Sequence, residues 1–112
     1  MKLRNDYTCP LEITHDIIKG KWKSIIIFSL RDGEKSLSYL EKNIKGISQK
    51  MLLEQLKELE YFGLVAKIKY EGYPLKVGYY LSEDLGMEML ESILIMQRLG
   101  KKLLAKQTNN NY

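Results

Sequence analysis

Gly46-Ile47-Ser48-Gln49-Lys50-Met51-Leu52-Leu53-Glu54-Gln55-Leu56-Lys57-Glu58-Leu59-Glu60-Tyr61-Phe62-Gly63-Leu64-Val65 contains a turn, a helix and the signal that stops it. Lys45-Gly46-Ile47 reads as a short turn. Ser48 is a good N-cap, because its hydroxyl can satisfy one of the free amides at a helix start. Leu52, Leu56 and Leu59 recur at i, i+4 and i+7, the spacing of one apolar helix face. The opposite face carries Gln49, Lys50, Glu54, Gln55, Lys57 and Glu58. Gly63 suits the left-handed conformation that ends a helix.

Downstream the period changes from helical to alternating. Leu64 to Tyr70 is rich in strand formers, Glu71-Gly72-Tyr73-Pro74 is a turn, and Lys76 to Leu81 reads as a second strand. Two strands around a short turn form a hairpin. Ser82-Glu83-Asp84 then opens a long last helix running to about Ala105, with acids at its positive end and Lys101, Lys102 and Lys106 near its negative end.

Upstream, Leu37, Leu40 and Ile44 place a third helix near Ser36. A second, mostly buried helix from about Trp22 carries Ile25, Ile26, Phe28, Ser29 and Leu30 and closes at Asp32-Gly33. The first helix starts at Pro10, a residue favoured at the first helical position, and Gly20 ends it. Leu11, Thr14, Ile17 and Ile18 share its apolar face. The order is four helices, a hairpin and a long helix. The predicted class is therefore mainly α with a small β-hairpin wing, a winged helix-turn-helix with N- and C-terminal dimerisation helices. Residues 1–106 form one domain in this reading, and 107–112 a flexible, Asn-rich tail.

Composition narrows the function. The chain has 112 residues, room for one modest core. Hydrophobic residues at 45% and charged residues at 29% argue against disorder. Lys and Arg number 18 against 14 Asp and Glu, and the net charge of +4 fits a polyanionic partner. The single cysteine, Cys9, excludes an internal disulfide. No signal pattern or membrane-length apolar run is visible, so the expected location is the cytoplasm. With one histidine, His15, and no clustered carboxylates, neither a metal nor a cofactor is expected. No nucleophile, base and oxyanion donor come together either, so no enzymatic activity is expected.

The chemistry expected is contact with duplex DNA. Ser48, Gln49, Lys50, Met51 and Gln55 form the groove-facing start of the fourth helix, whose free amides also suit a phosphate. The alternative for this surface is a solvated face of a core helix. Lys35 and Ser36 start the third helix. Lys67, Lys69, Tyr73 and Lys76 make a lysine-bearing wing, equally readable as an edge protected from aggregation. Lys19, Lys21 and Lys23 cluster around Trp22, as phosphate contacts or as a solvated turn. Cys9 precedes Pro10 at a helix start, where a thiol can serve as a redox sensor or bond a second subunit; the alternative is simple packing. The last helix carries apolar residues nearly all round, more than so small a domain can cover alone. A homodimer follows, with Leu11, Ile93, Met96 and Leu99 as candidate contacts.

Cys9-Pro10-Leu11-Glu12, Ile18-Lys19-Gly20-Lys21-Trp22-Lys23, Gly46 to Leu52, Leu56 to Glu60, Gly63-Leu64-Val65 and the wing pattern Pro74, Val77 and Tyr79 together resemble the HxlR-type regulators, a winged helix-turn-helix branch close to the MarR group. The resemblance spans about Cys9 to Gly100. Lys19, Leu75 and Gly78 depart from its usual glycine, second proline and acid, and Ser82-Glu83-Asp84-Leu85-Gly86 at the start of the last helix is one residue longer than its usual pattern. The resemblance implies a homodimer joined through the first and last helices, the Ser48 helix in the major groove, and an operator with two related half-sites. It also implies, for some members, oxidant or electrophile sensing through a cysteine at the position of Cys9. Two other functions fit the same residues. One is a winged-helix protein-interaction module. The other is a small-molecule sensor with Tyr39, Tyr61, Tyr79, Tyr80 and Met96 around an effector, unless those residues are core.

Overall fold

α1 (Pro10–Ile18), α2 (Lys23–Ser29), β1 (Lys35–Ser36), α3 (Leu37–Asn43), α4 (Gln49–Tyr61), β2 (Val65–Tyr70), β3 (Lys76–Leu81) and α5 (Leu85–Asn110) follow one another in a computed structural model that describes residues 2–110, with side chains through residue 108. α2 lies at the centre. Its Ile26 and Ile27, with Leu30 just past its end, are buried against Leu40 of α3, Leu52, Leu56 and Leu59 of α4, and Met89, Leu90 and Ile93 of α5. Burial of these aliphatic side chains supplies the main driving force for folding.

Two serines start the helix-turn-helix. Ser36 Oγ accepts from Tyr39 N at 3.1 Å, and Ser48 Oγ accepts from Met51 N at 3.1 Å. Each removes an unsatisfied donor from a first turn. Gly46, between α3 and α4, has φ +88°, and Gly63, just past α4, has φ +76°. Both values lie in the left-handed region that a side chain disfavours. Trp22 packs on the edge of the core near Gly46, so the turn between α3 and α4 is held from beneath.

The hairpin gains a strand that sequence periodicity does not show. β1 pairs antiparallel with β3, Lys35 opposite Tyr79 and Ser36 opposite Gly78, giving a three-stranded sheet in the order β1-β3-β2. A two-residue strand has no period to read, and its partner lies far along the chain. Glu34, just before it, lays its carboxylate over Gly78 and accepts the Tyr70 hydroxyl. The space an acid would take at position 78 is thus filled by an acid from elsewhere in the chain.

α5 differs from expectation at both ends. It begins at Leu85, because Ser82 makes a wide turn first. Ser82 O accepts from Met87 N at 3.0 Å, its Oγ accepts from Gly86 N at 2.7 Å, and the same hydroxyl donates to Gly63 O at 2.7 Å. At the other end the helix runs on through Asn110, into the stretch read as a tail, and Thr108 Oγ1 donates to Leu104 O at 2.9 Å. Residues 111 and 112 of that tail lie outside the described residues. Ser82 also draws α5 against the start of β2. A Cβ on Gly86 would run into the Leu64 carbonyl oxygen. Gly86→Ala is therefore expected to destabilise the fold by about 1–3 kcal/mol, because backbone must move to admit the methyl. An unchanged midpoint in chemical denaturation would refute this packing.

Two surface assignments need correction. The sequence offers Ile93 as a dimer residue, but it is 4% exposed. It shares the inward face of α5 with Met89 and Leu90 and belongs to the chain's own core. Lys23 belongs by sequence with the lysines around Trp22, but it is 5% exposed, and its Nζ donates to Glu58 Oε1 on α4 at 3.0 Å. Lys19 and Lys21 do remain at the surface, Lys21 over the Trp22 ring.

Candidate nucleic-acid interface

The first turn of α4 is capped from its own sequence, so the residues after Ser48 have a fixed direction. Gln49 and Lys50 are exposed, while Leu52, two residues after Lys50, is fully buried. The remaining backbone amides of this turn and the positive helix end favour a phosphate oxygen. Met51 is half-buried against the core, and Gln55 Nε2 donates to its sulfur at 3.5 Å. These two candidate residues therefore sit at the flank of the helix, whereas Gln49 and Lys50 stand clear of it.

The fold brings three separate candidates together. Ser36 at the start of α3, Gln49 on α4 and Lys76 on β3 border one cleft of about 540 Å³, with Leu75 and Val77 on the wing side. Ser38 and Glu41 also border it. Sequence reasoning passed over Ser38 and Leu75, although Ser38 lies two residues from the Ser36 cap and its hydroxyl is 3.2 Å from it. Lys69 and Tyr73 extend the same element outward. Lys69 pairs with Val77 across the hairpin, and Tyr73 at the tip is fully exposed. Lys35 is half-buried, with its ammonium over the Tyr39 ring at 4.9 Å. A helix tip carrying amide and ammonium donors, beside a wing carrying lysines, can meet base edges and phosphates together.

Cys9 lies elsewhere, at the start of α1. Its thiol is free and exposed. Glu12 reaches back over this helix start, its Oε1 accepting from Cys9 N at 2.9 Å and from the Thr8 hydroxyl at 2.6 Å. Arg4 donates to Glu12 Oε2 at 2.8 Å and to Asp16 Oδ2 at 3.2 Å, and the Tyr7 hydroxyl donates to Asp16 at 2.8 Å. The Thr8 hydroxyl first, then Arg4, pull the Glu12 carboxyl down to about 2. The Tyr7 hydroxyl holds Asp16 below its usual range in the same way. This network pins residues 4–8 along α1. No motif announces it, because an arginine six residues outside a helix has no spacing rule.

Cys9 borders a cavity of about 690 Å³ between α1 and α5, whose apolar wall includes Leu11, Ile18, Met89 and Met96. His15 stands on the same border. Leu11 is 72% exposed and Leu99 53%. Beyond Ile93 every side chain of α5 through residue 108 is exposed except at Gly100, including Leu94, Ile95, Met96, Leu103 and Leu104. Exposed apolar area on this scale marks an interaction surface. The tyrosines suggested for an effector pocket do not enclose one. Tyr61 and Tyr79 border a groove between α4 and the sheet, Tyr39 and Tyr80 face outward, and Met96 belongs to the cavity beside Cys9.

Among the described residues no group of three or more His, Cys, Asp and Glu side chains is placed to hold a metal ion, and no helix is long and apolar enough to cross a membrane.

The family model described as HxlR-like helix-turn-helix matches residues 17–108. The HTH-type transcriptional regulator YdeP of Bacillus subtilis (strain 168) is 41% identical over 107 residues, covering 90% of this chain and 83% of YdeP. The redox regulator HypR in its reduced form superposes with a TM-score of 0.83 at 35% identity, covering 93% of this chain and 100% of that one. The reduced form of the transcriptional regulator YodB from B. subtilis superposes with a TM-score of 0.71 at 35% identity, covering 82% of this chain and 90% of that one.

Proposed function

The chain belongs to the HxlR-like helix-turn-helix family of transcriptional regulators, and on that premise we propose that it acts on DNA as a homodimer. The start of α4 enters the major groove, and the wing lies on the backbone or in the minor groove. One observation carries this: Ser36, Gln49 and Lys76, from three elements, border a single cleft beside the exposed α4 tip. The exposed apolar surface of α1 and α5, with Leu11, Met96 and Leu99, joins the two copies. The operator then carries two related half-sites, roughly 34 Å apart if they occupy successive turns of one duplex face. A specific site is bound at about 10⁻⁸ to 10⁻¹¹ M at physiological salt.

The test uses the duplex that the protein selects from a random DNA pool. Gln49→Ala and Lys50→Ala are each expected to weaken binding to it by roughly tenfold, the effect of one lost base contact. The salt slope should fall by about one unit for Lys50→Ala if it meets phosphate. Retained affinity in both variants, with the fold intact, would show that α4 does not read the groove. Binding that is indifferent to ionic strength would favour a protein-interaction module instead.

Cys9 supports a second layer of function. Its exposed thiol borders a cavity at the surface proposed to join the subunits, and HypR, which is similar over most of the chain, is a redox regulator. Oxidation or alkylation there alters the packing between the copies and so the spacing of the two α4 tips. Cys9→Ser is expected to abolish the response to oxidants and electrophiles while leaving DNA affinity in reductant unchanged. Equal sensitivity in Cys9→Ser and the wild type would remove Cys9 from the sensing role.

A further inference from the structure

We propose that Lys23 is a positioning residue. Its ion pair with Glu58 sets the rotation of α4 against α2, and so decides which base edges Gln49 and Lys50 reach. This rests on the reading of α4 as the DNA-contacting helix.

Lys23 is the one charged side chain found buried among the described residues. It sits at the first position of α2, where the positive end of the helix dipole disfavours a cation. Burial penalises its ammonium further. Stability alone is a poor reason for such a residue, since an apolar side chain of similar length would fill the place as well or better. What the pair supplies is direction. The inward residues of α4 are Leu52, Leu56 and Leu59, and apolar contacts, being non-directional, define the helix's rotation less sharply than a hydrogen bond. The Lys23 Nζ to Glu58 Oε1 hydrogen bond, at 3.0 Å, adds a directional contact that a turn of the helix about its axis would stretch.

The lever is long enough to matter. Side-chain atoms lie roughly 6 Å from a helix axis, so a turn of about 20° moves them by about 2 Å. That distance is enough to lose a base hydrogen bond. The same pair connects α4 to the far side of the domain. α2 shares a groove with α5 that is lined by Ile25, Phe28, Ile93 and Met96, so the pose of α4 is referenced to the helix proposed to join the subunits.

The test compares the wild type with Lys23→Met, Lys23→Arg and the double variant Lys23→Met/Glu58→Met. Each is titrated against the selected duplex and against a scrambled duplex of equal length. Lys23→Met/Glu58→Met is expected to stay folded, since it leaves no uncompensated charge at the buried Lys23 position. Its preference for the selected duplex should nevertheless fall by about tenfold. Binding to the scrambled duplex and the salt slope should not change, because the phosphate contacts remain. A general loss of fold would lower both affinities alike. Lys23→Arg, which keeps a donor for Glu58, should recover most of the preference. If Lys23→Met should fail to fold, the double variant still decides the matter. Wild-type preference in the folded double variant overturns the positioning role and leaves the proposed function standing. A wild-type protein with no preference for any duplex overturns the reading of α4 itself, and this inference with it.

Discussion

Leu99→Glu is expected to leave the chain folded and to convert a dimer into monomers at micromolar concentration. Leu99 is exposed on α5 well past the last buried position, Ile93, so the substitution costs the single chain's core nothing. In the proposed dimer it would place a carboxylate within an apolar interface, where an unpaired charge is strongly disfavoured. DNA affinity should fall far more than one lost contact explains. Two linked half-site contacts gain about 10²- to 10⁴-fold in avidity over one, and the monomer forfeits that gain. Sedimentation velocity reads the first effect and a binding titration the second. A Leu99→Glu protein that stays dimeric would show that the subunits join elsewhere.

The second large effect is on stability. Leu56 is 1% exposed and lies on the inward face of α4, between Leu52 and Leu59. Leu56→Ala is expected to cost about 2–5 kcal/mol, from lost burial and from the cavity left behind. Against a total of roughly 5–15 kcal/mol for a domain of this kind, the change threatens the fold itself. Its neighbour Lys57 is exposed, and Lys57→Ala should stay within about 0.5 kcal/mol of the wild type. Urea denaturation of the two variants checks the inward and outward assignment of α4 directly. Similar midpoints for both would mean that the helix is turned differently.

The contrast between these residues also shows why some of the molecule is legible in its sequence. α4 can be read because a cap, a three-residue apolar stripe and a terminating glycine all fall within one local stretch. The hairpin is legible for the same reason: its alternation and its turn are contiguous. β1 is not, because two residues carry no period and their meaning comes from β3. The cleft joining Ser36, Gln49 and Lys76 needed the fold to close it, although each residue was a candidate separately.

Charge and exposure were the least legible. Lys23 looks like its neighbours Lys19 and Lys21, and only the approach of Glu58 from another helix distinguishes it. Ile93 looks like Met96 and Leu99, since a helix apolar nearly all round does not say which side its own domain covers. The Arg4 network is invisible for a related reason: its members are tied by the path of the chain before α1, which no periodicity describes.

The central claim is that two copies of the chain present two α4 tips, each beside its wing, to one duplex. Sedimentation equilibrium of the protein with its selected duplex, at physiological salt, measures this most directly. The account predicts a complex with the mass of one duplex and two chains, without a populated one-chain species at stoichiometric mixing. A stable complex of one chain per duplex would contradict it.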